Sequence, residues 1–138
     1  MTTPQKYILT ISRILFGLLF LTSGVGKLMS GFTATQYLEH AVGPFAGIFQ
    51  SMAGSPVVDF LVVGGEIAIG MALISGLLLW VTAWSGSLMM LLFYASQFPP
   101  KNGYISYHII YILVFFLLAV FRAGEFAGFD WVRKRFKK

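Results

Sequence analysis

Four apolar runs limit what this chain can become: residues 8–29, 57–79, 80–98 and 107–121. At 1.5 Å per residue, about 20 residues of helix cross a hydrocarbon core of roughly 30 Å. The fourth run is the shortest as a strictly apolar stretch, and snorkelling of Arg122 lets its helix continue. Of the 138 residues, 57% are hydrophobic and 11% charged, with a mean hydropathy of +0.80. A soluble surface would not tolerate that balance. The expected fold is all-α: an integral membrane four-helix bundle forming one domain over 1–138. Residues 30–56 are read as an outer interfacial segment and 124–138 as a basic cytoplasmic tail. The first run is not expected to be a cleaved secretory signal, because it lacks an AxA-like site and further apolar runs follow it.

Charge orients this arrangement. Lys and Arg total 10 against 5 Asp and Glu, and the C-terminal RKRFKK (residues 133–138) carries five of the ten. A basic tail directly after a membrane segment reads as a positive-inside anchor attracted to anionic lipid, with Trp131 at the interface. It does not read as a nucleic-acid arm. Lys6 and Arg13 agree, so four crossings put both termini in the cytoplasm. The connections at 31–55 and 99–106 then face outward.

No cysteine is present, which removes disulfide and thiol redox chemistry. His40 and His108 are far apart and neither lies in a metal-ligand pattern, so no metal site is expected.

A few polar residues interrupt the apolar runs, and their helical phase is informative. Arg13, Gly17, Phe20, Gly24 and Lys27 recur at spacings of three and four and share one stripe. Asp59, Val62, Glu66, Gly70 and Leu73 form another, while Gly64, Ala68, Ala72 and Gly76 make a small-residue stripe suited to close helix packing. Glu66 matters most. A carboxylate about 14 Å inside the second run is costly unless it is protonated, paired or facing a polar cavity. Depth permits pairing with Arg13 or with Lys27, and Asp59 is the easier partner for Lys27. Tyr94, His108 and Tyr111 have phases compatible with the same interior. Together these side chains suit a flat apolar molecule with one polar end.

Duller readings stand beside these. Glu66 can be an interhelical anchor, Lys27 can snorkel, Asp59 can serve its helix N-terminus, and Tyr104, Tyr107 and Trp80 suit an aromatic belt. In the long connection, Thr33 and Gln36 resemble a capping box opening a short helix, with Phe45, Phe49 and Met52 laid over the outer mouth as a lid or plug.

The opening ISRILFGLLFLTSGVGKL, the central GGEIAIGMALISG and the closing FRAGEFAGFD resemble the DoxX/DoxD family of small four-helix membrane proteins. Arg13, Gly17, Phe20, Gly24, Lys27, Glu66, Gly70, Gly124, Gly128 and Asp130 carry the resemblance, although AGEFAGFD is looser than the usual ending. Some members are the membrane subunit of thiosulfate:quinone oxidoreductase, which works with a second protein. The resemblance implies a prokaryotic cytoplasmic (inner) membrane, a quinone cofactor and a redox partner protein. On that reading Glu66 is the acid–base group, and Arg13, Lys27, Tyr94, His108 and Tyr111 bind quinone. Lys27 and His108 would meet any small sulfur-containing anion. Two alternatives stand beside it: a transporter for a small solute or proton, and a non-catalytic membrane partner or scaffold, with a homo-oligomer compatible with each.

Overall fold

The computed structural model describes residues 2–101, 103–126, 128–129 and 132. Among them are six α-helices: α1 (Thr3–Ser30), α2 (Thr35–Glu39), α3 (Ala46–Ser51), α4 (Pro56–Ser75), α5 (Leu79–Ser96) and α6 (Tyr107–Val120), followed by a 3₁₀ turn (Ala123–Glu125). α1, α4 and α5 are long and apolar enough to cross a membrane. Their outward faces carry large apolar side chains such as Ile11, Leu15, Leu18, Phe60, Leu61, Trp84 and Leu88. The chain is a multi-pass membrane protein.

The four-helix expectation is corrected on two counts. α2 and α3 are genuine helices within what was read as an interfacial connection. α6 has only 14 residues. That length gives about 21 Å of rise against a hydrocarbon core of roughly 30 Å. Arg122 does not extend it, because its backbone turns left-handed (φ 48°) just beyond the helix. Three candidate spans do not return the chain to its starting side, so the parity argument that put both termini in the cytoplasm falls. The basic residues 133–138, Asp130 and Trp131 lie outside the described residues.

Helix boundaries follow local chemistry. Thr2 and Gln5 form a capping box at the start of α1, and Gly31 ends it in the left-handed conformation that lacks a Cβ penalty. Pro56 opens α4 at a position that needs no amide donor, and Gly76 closes it with φ 67°. The expected capping box at Thr33 does not form. α2 begins after Ala34, whose N–H donates to Asp59 Oδ1 at 2.6 Å. Asp59 therefore ties the connection to the first turn of α4 and leaves Lys27 to another partner.

α1 packs most extensively on α4, and α5 on α6. A Cβ on Gly17 would lie 2.8 Å from Ile74 Cγ1, and one on Gly70 would lie 2.6 Å from the Leu21 nitrogen. These glycines bring the two backbones together, as small residues do where lipid offers no hydrophobic drive. In the stripe of Gly64, Ala68, Ala72 and Gly76, Ala68 is exposed and a Cβ on Gly64 would meet only Phe60 of its own helix, whereas Gly76 gives a close approach, to Arg13 and Gly128. On the other side, Gly86 of α5 leaves the space that the buried Phe115 ring occupies. Phe16, Phe20, Ile69, Leu73, Met90, Phe115 and Leu118 join the pairs into one core. α1 meets α6 through rings, with Phe16 and Phe20 edge-on or tilted against Tyr111 and Phe115 at 4.9–5.9 Å.

Candidate functional site

Glu66 faces α1. Lys27 Nζ donates to its Oε1 at 2.5 Å and Ser23 Oγ donates to its Oε2 at 2.9 Å. Lys27 also donates to Ser23 Oγ at 3.2 Å, so the three groups form a closed triangle. One helical turn separates Ser23 from Lys27, which places both on the α1 face that Gly24 holds close to α4. The Glu66 side chain is 5% exposed and that of Lys27 26%. The carboxylate is thus sunk in the wall while the ammonium reaches it from the rim. A second group lies near that ammonium: the Phe32 ring, with its centroid 5.5 Å away. A cation at that distance is attracted to the ring face.

The triangle forms one side of a cavity of about 350 Å³ lined by Leu19, Phe20, Ser23, Lys27, Glu66, Met90, Phe93, Tyr107 and Tyr111. Four aromatic rings therefore share the cavity wall with the ion pair. Among the described residues, the Tyr107 and Tyr111 hydroxyls make no hydrogen bond to protein. They remain available to a guest, as does the third Lys27 proton.

Of the six side chains singled out from sequence, Glu66, Lys27 and Tyr111 share this cavity, and Arg13, Tyr94 and His108 lie elsewhere. Arg13 is 1% exposed, and its Nη1 donates to the carbonyls of Ala123 at 3.0 Å and Phe126 at 3.5 Å. It sits against Gly76 and Gly128, where any Cβ would collide with the guanidinium. Arg13 thus clasps the turn after α6 to the Thr3 half of α1 and does not pair with Glu66. Tyr94 donates to the Tyr104 carbonyl at 3.0 Å and packs its ring, tilted, against Phe98, bracing the α5–α6 connection. His108 is buried between the Phe93 and Tyr107 rings, with Nδ1 3.3 Å from Ser106 Oγ. Sequence reasoning missed Ser23 and Tyr107. The i,i+4 spacing of Ser23 to Lys27 was a usable signal, whereas Tyr107 was legible only as a belt residue.

The connection after α1 packs beside this region. The Tyr37 hydroxyl donates to the Phe93 carbonyl at 3.1 Å, and the two rings meet edge-on. Val42 pairs with α5, its N–H donating to the Ser96 carbonyl at 3.0 Å. Burial raises the Tyr37 hydroxyl above its ordinary value, opposed in part by a hydrogen bond with Ser96. No group of three or more His, Asp or Glu side chains gathers to hold a metal ion among the described residues.

The family model for methylamine utilisation protein MauE matches residues 5–110, more than half of the chain, and the chain belongs to that family. No curated protein and no solved structure gives a match. MauE is a membrane-protein family distinct from DoxX/DoxD, so the resemblance drawn from ISRILFGLLFLTSGVGKL and GGEIAIGMALISG is corrected. The quinone-linked oxidoreductase reading, its sulfur anion and its redox partner rested on that resemblance and are withdrawn with it. Intramembrane Arg, Gly, Lys and Glu recur wherever helices pack around a buried charge, so such a pattern does not separate one family from another.

Proposed function

We propose that this MauE-family protein is a membrane transporter for a small solute, binding alkylammonium ions of the methylammonium type at Glu66. The observation that carries this reading is the ion pair itself. Lys27 is a primary alkylammonium on a tether, and it already sits on Glu66 inside a cavity faced by Phe20, Phe93, Tyr107 and Tyr111. A carboxylate sharing a cavity with aromatic rings is the chemistry that recognises small organic cations. The family's link to methylamine utilisation supports the same solute class.

In this reading a free ammonium takes the place of the Lys27 head on Glu66 Oε1, and Ser23 keeps its bond to Oε2. The exchange replaces one N⁺–H···O⁻ contact by another, so its head-group energy nearly cancels. The displaced Lys27 moves toward the Phe32 ring and the interface, where a long side chain snorkels readily. Keeping one cation on the carboxylate at all times avoids an unpaired buried charge. The protein would sit in a prokaryotic cytoplasmic membrane with the Ser30 end of α1 outward.

The test is uptake of labelled methylammonium by proteoliposomes at neutral pH, where an amine with a lysine-like pKa of about 10.4 is almost wholly charged, with protein-free vesicles reporting leakage of the neutral amine. Saturable uptake that is abolished by Glu66→Gln supports the reading. Uptake equal to that of protein-free vesicles overturns it and leaves the non-catalytic partner or scaffold.

A further inference from the structure

We infer that the cavity opens sideways into the bilayer between α1 and α6, and that its guest is an alkylammonium amphiphile whose tail lies among the lipid chains. This deepens the ammonium reading of Glu66 and rests on it.

The mouth is defined by what is exposed around it. Leu19 and Ser23 of α1 and Tyr107 of α6 line the cavity, and all three also face outward, Leu19 being 54% and Tyr107 60% exposed. Glu66, Phe20 and Met90 are the buried members of the lining, and Phe93 of α5 is half-buried. The floor is the ring contact of Phe16 and Phe20 with Tyr111 and Phe115, which holds α1 and α6 together on the side away from Lys27.

Depth says what lies outside that mouth. α1 has 28 residues. Its rise is about 42 Å, so a centred core of roughly 30 Å leaves about 6 Å of helix beyond each boundary. Counting back from Ser30, Leu19 lies about 10 Å inside the boundary at that end, and Ser23 about 4 Å inside. The opening therefore faces acyl chains, and Lys27 marks where it nears the interface. A guest leaving by this route enters hydrocarbon.

Size agrees. The cavity holds about 350 Å³. That is roughly ten times the share of one water molecule in the liquid, far more than an ion of two heavy atoms fills. The surplus lies against Leu19, Phe20, Met90 and Phe93, which are apolar. A head on Glu66 with methylenes running past Leu19 satisfies the polar and apolar lining together.

The experiment measures displacement of labelled methylammonium from the full-length protein in nanodiscs by methyl-, butyl- and octylammonium. Affinity rising by roughly threefold or more per methylene, as tail burial dictates, is the expected result. Leu19→Trp is a second readout, in which tail-brominated octylammonium quenches the new indole saturably. Saturable displacement with no gain along the series, or no quenching, overturns the lateral opening while leaving the ammonium site standing. No saturable binding of any ammonium overturns both. Glu66→Gln removes the saturable component if it folds, and the displacement series in the unaltered protein decides the matter if it does not.

Discussion

Gly24 and Glu66 touch across the α1–α4 seam, since a Cβ on Gly24 would lie 3.1 Å from Glu66 Cβ and 2.8 Å from Ile67 Cγ1. The glycine lets the carboxylate's own backbone come within reach of Ser23 and Lys27, one position before it and three after. Gly24→Val should therefore cost about 1–3 kcal/mol through overpacking and should weaken ammonium binding as well. Thermal unfolding in detergent checks the first effect. Gly24→Ala should cost less on both measures.

Removing the cation tests the pair directly. Lys27→Met strands Glu66 in a site that is only partly wet, for an expected loss of about 1–3 kcal/mol after allowing for the exposure of Lys27. The double variant Lys27→Met/Glu66→Gln should recover most of that loss, because a neutral amide needs no counter-ion. A double-mutant cycle reads the coupling, and additive losses would mean that the pair contributes nothing.

Arg13 predicts a different phenotype. Its bonds to the Ala123 and Phe126 carbonyls hold the turn after α6. Arg13→Met removes these charge-assisted bonds, worth about 2–4 kcal/mol together, and frees that turn. Hydrogen exchange should accelerate at the Glu125 amide, which bonds the Arg122 carbonyl at 2.9 Å. Methylammonium affinity should change far less than in Glu66→Gln. An equal loss of binding would show that the clasp and the cavity are one unit.

Tyr37 makes the connection after α1 sensitive to strong alkali. Burial lifts its native pKa above the ordinary value, so the neutral phenol is the form the fold holds. Its contribution is complete below that ordinary value and is lost as pH rises through the higher native one. The Phe93 carbonyl also accepts a bond from Ser96 Oγ at 2.8 Å and keeps it when the phenol is removed. Tyr37→Phe should therefore cost about 1 kcal/mol at neutral pH and flatten the alkaline loss. Melting temperature against pH is the measurement.

Much of this site is legible in the sequence. A carboxylate deep in an apolar run and two cations on one helical stripe forced the question of which cation pairs with Glu66. Depth alone could not choose between Arg13 and Lys27, since each lay about 10 Å from Glu66 along the membrane normal. The choice was made by Gly76 and Gly128, whose missing side chains open a berth for Arg13 at the far end. Tyr94 and His108 had the right phase, yet phase says nothing about a carbonyl or hydroxyl that a neighbouring loop brings within reach. The shortness of α6 was visible in its run of 107–121; what the sequence hid was the backbone turn at Arg122 that stops the helix from continuing. Family was the least legible level, because buried charges and close-packing glycines answer general demands of lipid.

At the centre of the proposed chemistry is a primary ammonium that is held by Glu66 and exchanges for one from outside. ¹⁵N NMR of the lysine ammonium groups in nanodiscs, titrated with methylammonium, observes that exchange at the atom concerned. The Lys27 resonance should start at the position of a carboxylate-bound ammonium and move saturably toward that of a free lysine, and Glu66→Gln should place it there from the outset. A Lys27 signal unmoved by methylammonium, or the same with and without the Glu66 carboxylate, would contradict the exchange.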